Sequence, residues 1–177
     1  MEKKEKLQFN NENYLKLRED SDRFRGKLID MMVNIEFFMS DFLSEYFAKK
    51  ELSDDLNMYV FARELSFESK KNILSNMIAN NKINCFYKDF SNDLQYLQIL
   101  RNKIAHCTLY IVKEYIDSYN RNELIYAIYE LKKYEKSVVV RLNTKAENPD
   151  KLIYSQESVI ARANRVMASF GKAKGIV

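Results

Sequence analysis

Residues 97–107 read Leu-Gln-Ile-Leu-Arg-Asn-Lys-Ile-Ala-His-Cys and gather the side chains best equipped for chemistry. His106 is the only histidine of the chain. An imidazole with an ordinary pKa of ~6.5 takes or gives a proton near neutral pH. Arg101 keeps its charge and presents a planar fork of donors that matches phosphate. Asn102 adds an amide that can orient the imidazole or hydrogen-bond an anion. Rotation by about 100° per residue puts Leu94, Leu97 and Ile104 within about 40° of Phe90 on a helix, with Arg101 in the middle of that apolar face. A guanidinium aimed at a core is costly unless paired, and Glu36 is the expected partner. Asn102 and His106, four apart, share a second face with Gln95.

Long helices must carry these residues. With three Gly and one Pro, the chain lacks the turn-formers of all-β and α/β folds. From about Tyr14 to Lys50, Leu28, Met31, Met32, Ile35, Phe38, Met39, Phe42 and Tyr46 recur at three- and four-residue spacings, which predicts one long amphipathic helix. Residues 52–65 open with Ser53, Asp54 and Asp55, a helix-start signature. Ser66 opens a third helix that ends at Asn80-Asn81-Lys82, and a fourth begins near Tyr87. Beyond His106 the pattern changes: 124–131 and 137–143 are rich in β-branched and aromatic residues, followed by turn-like 144–151 and the short run 151–154. These predict a small antiparallel β insert over 124–154, with 124–131 also compatible with helix. A closing helix spans 155–171, with Ser155 as its cap and Gly171 as its stop. The expected fold is mainly α, a four- or five-helix up-and-down bundle with a small antiparallel β insert before the last helix. It is expected to be one domain over 1–177, with 1–13 open to disorder.

Composition excludes several classes. A net charge of +4, from 29 Lys+Arg against 25 Asp+Glu, permits contact with nucleic acid without demanding it. Two cysteines, Cys85 and Cys107, are too few for a disulfide framework and are expected to be reduced. The polar start has no apolar h-region, and no run approaches the ~18–20 apolar residues of a membrane span, so a soluble cytoplasmic protein is expected. One His and two distant Cys make no zinc site, and no Gly-rich phosphate loop is present. Neither metal nor cofactor is expected.

Arg101-Asn102-Lys103-Ile104-Ala105-His106 resembles the Arg-polar-x3-His signature of HEPN domains. The surroundings agree over about residues 25–110: a long amphipathic helix with Ile35-Glu36, the segment Glu64–Leu74, then the helix carrying the motif. The resemblance implies a homodimer that brings two Arg/His pairs into one cleft and cuts RNA without metal. His106 would move the ribose 2′-hydroxyl proton, Arg101 would stabilise the pentavalent phosphate, and a 2′,3′-cyclic phosphate would be left. Five residues on an ideal helix separate Arg101 and His106 by about 140°. Either the helix frays at His106 or each subunit completes its neighbour's site. HEPN toxins paired with a nucleotidyltransferase antitoxin often carry Tyr two residues after the histidine. Thr108 stands there and the nearest tyrosine is Tyr110, which weakens the toxin–nucleotidyltransferase reading and leaves abortive-infection or other defence-type ribonucleases open, with an antitoxin or regulatory protein as a partner the resemblance allows.

Each residue also has a plainer reading. Arg101 with Glu36 can be a structural pair in a non-catalytic HEPN module that dimerises or binds a partner, and a lone histidine is often structural. Lys70, Lys71 and Lys103 can line an RNA path, with Lys70 and Lys71 otherwise a solvated face. Phe37, Phe38, Phe42, Tyr46 and Phe47 fit core or dimer interface better than base stacking.

Overall fold

Helix α1 (Asn11–Phe47) carries a broad apolar stripe along its length. Phe24, Leu28, Met31, Ile35, Met39 and Phe42 repeat at three- and four-residue steps, two turns beyond Leu17, and all are buried. The computed structural model describes residues 11–106, 122–130 and 133–173. Residues 1–10 of the stretch expected to be disordered lie outside that range; Asn11–Asn13 already belong to α1.

The helix expected over 52–65 is divided. A 3₁₀ turn (Lys50–Leu52), α2 (Ser53–Leu56) and a π-helical turn (Asn57–Phe61) follow one another. The wider π turn brings Phe61 to the interior, where its ring stacks on Phe47 at 6.3 Å, while Met58 and Tyr59 stay exposed. Helix α3 (Phe67–Ala79) starts where its cap predicts: Ser66 Oγ accepts from the Ser69 amide at 3.1 Å. It ends through Asn81, whose φ of 53° lets Lys82 N donate to Met77 O at 2.8 Å and Asn81 N to Ile78 O at 3.0 Å. Helix α4 (Phe90–Ala105) begins three residues later than expected. Tyr87 is in the preceding turn, where its hydroxyl reaches Asp93 Oδ2 at 2.6 Å.

Strands β1 (Glu123–Glu130) and β2 (Lys133–Arg141) form the expected antiparallel hairpin, with Leu124 facing Val140 and Tyr126 facing Val138. These four are buried and Ile125 and Val139 are not, the alternation of a strand with one covered face. The expectation of an antiparallel insert needs correcting at β3 (Ile153–Ser155), which pairs parallel to β2. Residues 142–152, with a 3₁₀ turn at Pro149–Lys151, are long enough to bring the chain back in the same direction. Leu152 ends that turn at φ 58°, a left-handed conformation costly for a branched side chain. Ser155 is correspondingly the last residue of β3, its hydroxyl donating to Thr144 O. Helix α5 (Gln156–Ala173) passes through Gly171 without stopping; Gly171 lacks the positive φ of a helix stop.

The chain divides into two compact units. The first comprises Met1–Gly26 and Lys103–Glu157, the second Lys27–Asn102 and Ser158–Val177. In the first, Phe24 packs on Tyr126, whose hydroxyl donates to Ser21 O at 3.0 Å. In the second, Phe42, Phe86, Phe90 and Phe170 form one aromatic cluster, with Phe170 against each of the other three at 5.2–6.1 Å. The molecule is mainly helical with one small three-stranded sheet. Among the described residues no helix is long and apolar enough to cross a membrane.

Candidate functional site

In the second unit, the C-terminal half of α4, the middle of α1 and the start of α3 leave a groove of ≈ 300 Å³. Ile29, Met32, Val33 and Phe67 give it an apolar wall; Gln98, Arg101 and Asn102 line its polar side, with Glu36, Ser66 and Glu68. The α4 face that buries Phe90, Leu94 and Leu97 opens here, so Arg101 is exposed rather than aimed into a closed core. Arg101 Nη1 donates to Asn102 Oδ1 at 3.1 Å. Among the described residues no carboxylate pairs with Arg101.

The expected Arg101–Glu36 pair is therefore replaced by another. Glu36 Oε1 takes Lys70 Nζ at 2.8 Å, and Lys70 is only 1% exposed. Lys71 is 7% exposed and donates to Gln98 Oε1 at 2.7 Å and to Gln95 Oε1. Neither lysine forms a solvated face. Two consecutive helical residues point about 100° apart, so both can be buried only where α3 is enclosed on two sides, by α1 and by α4. Among the described residues Lys71 has no carboxylate partner, which leaves a buried ammonium balanced by amide oxygens alone.

Sequence reasoning joined Arg101, Asn102, Lys103 and His106 on one helix. Arg101 and Asn102 belong to the second unit with Glu36, Lys70 and Lys71, whereas Lys103 and His106 belong to the first. His106 directly follows α4 and is exposed; Lys103 is half-buried. Cys107, Thr108 and Tyr110 lie outside the described residues. Cys85 is a free thiol, and burial raises its pKa, which disfavours the reactive thiolate.

A second polar cluster went unnoticed in the sequence. Asp93, 0% exposed, accepts from Arg162 Nη1 at 2.7 Å, Arg165 Nη2 at 2.5 Å and the Tyr87 hydroxyl. Arg162 also stacks on Tyr96 and Arg165 on Tyr87, at 4.3 and 4.9 Å from the ring centroids. Arg162, Arg165 and Tyr87 each already donate to the carboxylate, which suits a clamp of α5 on α4 better than ligand binding. The pairing joins residues 69 and 72 positions apart, and no local spacing betrays it. Among the described residues no group of three or more His, Cys, Asp or Glu is placed to hold a metal ion.

No family model matches the chain, and neither a curated protein nor a solved structure is similar to it.

Proposed function

We propose that this protein is a HEPN-type endoribonuclease that acts as a homodimer and cuts RNA without metal, in antiphage defence or a toxin-like growth arrest. The observation that carries the reading is Arg101: an exposed guanidinium with no carboxylate partner among the described residues, lining a groove on the helix that His106 directly follows. Arg162 and Arg165, by contrast, both pair with the buried Asp93 carboxylate. In the proposed reaction His106 takes the proton of a ribose 2′-hydroxyl, and that oxygen attacks the adjacent phosphorus. The 5′-oxygen of the next nucleotide leaves as it takes a proton back from the His106 imidazolium, and the products end in a 2′,3′-cyclic phosphate and a 5′-hydroxyl. Arg101 neutralises the extra charge on the pentavalent phosphorus, and Asn102, bonded to it, holds the fork in place. A second copy has an apolar stripe to use: Ile29, Val33 and Phe37 lie four residues apart on α1 and remain 39–59% exposed.

Incubating the wild-type chain with total RNA in EDTA, and mapping new ends, tests the proposal. Cleavage leaving cyclic phosphates is expected, with His106→Ala slower by roughly 10²–10⁴-fold and Arg101→Ala by roughly 10²–10³-fold. Equal cleavage by wild type and His106→Ala would remove His106 from the mechanism. The alternative, a non-catalytic HEPN module, draws on the same α1 stripe. It would be favoured by a folded dimer that leaves RNA intact.

A further inference from the structure

Buried Lys71 decides what the groove beside Arg101 can read. An amide offers an oxygen and an NH₂, and a neighbour settles which faces where. Lys71 has only donors and takes Gln98 Oε1 at 2.7 Å, which commits that oxygen to the interior. Gln98 is 9% exposed and lines the groove, and among the described residues nothing accepts from its Nε2. Asn102 is committed in the same sense: its oxygen accepts from Arg101, and its NH₂ remains. The α4 side of the groove therefore presents amide donors. The residues from α1 and α3 present acceptors. Glu36 gives one carboxylate oxygen to Lys70 and keeps the other, with its side chain 38% exposed. Glu68 is exposed and pairs with no cation among the described residues. Phe67, half-buried, adds an aromatic ring to the same lining.

Donors from one helix and carboxylates from two others call for a neutral, planar ligand with an acceptor edge and a donor edge. Among the RNA bases only guanine sets two adjacent acceptors, N7 and O6, beside two adjacent donors, N1–H and N2–H₂. Adenine and cytosine turn an NH₂ where guanine has O6, and uracil places its single N–H between two acceptors. We infer that Gln98, oriented by Lys71, is a specificity-determining residue that selects one unstacked guanine in the RNA substrate proposed above. O6 and N7 accept from the Gln98 and Asn102 amides, the Glu68 carboxylate accepts from N1–H and N2–H₂, and the base lies on Phe67. The volume of ≈ 300 Å³, at the lower end of small-ligand pockets, suits one base and no paired helix. The inference rests on the ribonuclease reading only in taking the base to be part of an RNA; the base contacts need neither His106 nor cleavage.

A heptamer of adenosines with one variable central base, bound to the full-length His106→Ala chain so that it stays whole, tests this by fluorescence anisotropy. Central guanine is expected to bind roughly ten- to a hundredfold more tightly than central adenine. Hypoxanthine, which lacks the N2 amine, and 7-deazaguanine, which lacks N7, should fall between the two. Gln98→Glu, added to His106→Ala, is the decisive variant. Its carboxylate pairs with Lys71, keeps the melting temperature and turns an acceptor to the groove, where adenine N6–H₂ then finds a partner. Its preference for guanine should shrink at least about tenfold. The inference is overturned if guanine and adenine bind equally, if Gln98→Glu keeps the full preference, or if no heptamer binds at millimolar concentration. Should Gln98→Glu fail to fold, the base series decides alone: hypoxanthine and 7-deazaguanine binding as tightly as guanine overturns it. Cleavage of total RNA by the wild type, with equal binding of all heptamers, would leave the ribonuclease standing and remove guanine. Guanine-selective binding without any cleavage would do the reverse.

Discussion

Tyr87 shows how one proton can be tied to the fold. Burial raises its pKa, the hydrogen bond to Asp93 raises it further, and Arg165 only partly offsets both. Below the ordinary tyrosine value of about 10, folded and unfolded chains both hold the proton and the shift contributes nothing to the pH dependence. Above it the unfolded chain gives the proton up first, so stability falls as pH rises. Denaturation midpoints measured from about pH 9 to 11 should therefore decline in the wild type and decline less in Tyr87→Phe. At neutral pH the same variant should be weaker by about 1 kcal/mol, the worth of the lost hydrogen bond. Parallel curves for the two proteins would show that the phenol ionises without cost. The sequence made Arg101 conspicuous because a charge stood in an apolar face. It gave the wrong partner because α3 lies between the two sides of the groove: Lys70 reaches Glu36 first. Gln98 escaped notice altogether, since nothing in its own residue type hints that a lysine 27 positions earlier fixes its orientation.

The elements were legible where local chemistry decides them. Ser66 announces α3, and its hydroxyl does cap the helix; Ser66→Ala should lower stability by about 1 kcal/mol in equilibrium denaturation. A cost near zero would mean that Ser69, bonded to the same hydroxyl, replaces it as cap. The hairpin of β1 and β2 was legible from alternating apolar residues, but the direction of β3 was not. Three residues carry no record of which way a neighbour runs, and only the length of 142–152 permits the parallel pairing. Gly171 misled for a similar reason: Phe170 and Ala173 are both buried on α5, and their packing outweighs the ~1 kcal/mol that glycine costs inside a helix. The short helix over 52–65 broke because Phe61 could reach the core only through a wider turn.

For the whole molecule, chain order and spatial grouping diverge. Each unit is assembled from two distant stretches, and the second depends on α5 for Val159, Ala163, Val166 and Phe170, all buried. Residues 27–102 alone should therefore lack cooperative thermal unfolding, and a peptide of residues 156–173 added in trans should restore it. Cooperative melting of the fragment by itself would show that α5 is dispensable. The sequence reading of one domain contained no sign of this division, because helical periodicity reports which face of a helix is buried and not which stretch buries it.

The late place of α5 in the chain matters during synthesis. Residues 103–157 are all made after the α4 residues of the second unit and before the residues of α5 that complete it. At ~5–20 residues per second that interval lasts roughly 3–11 s. Throughout it, the aromatic face of Phe42, Phe86 and Phe90 waits on the nascent chain without Phe170 to cover it. Helix pairing takes microseconds to milliseconds, so the newborn protein must keep a sticky surface out of trouble for far longer than it needs to fold. A holding chaperone on the ribosome would find its binding site there.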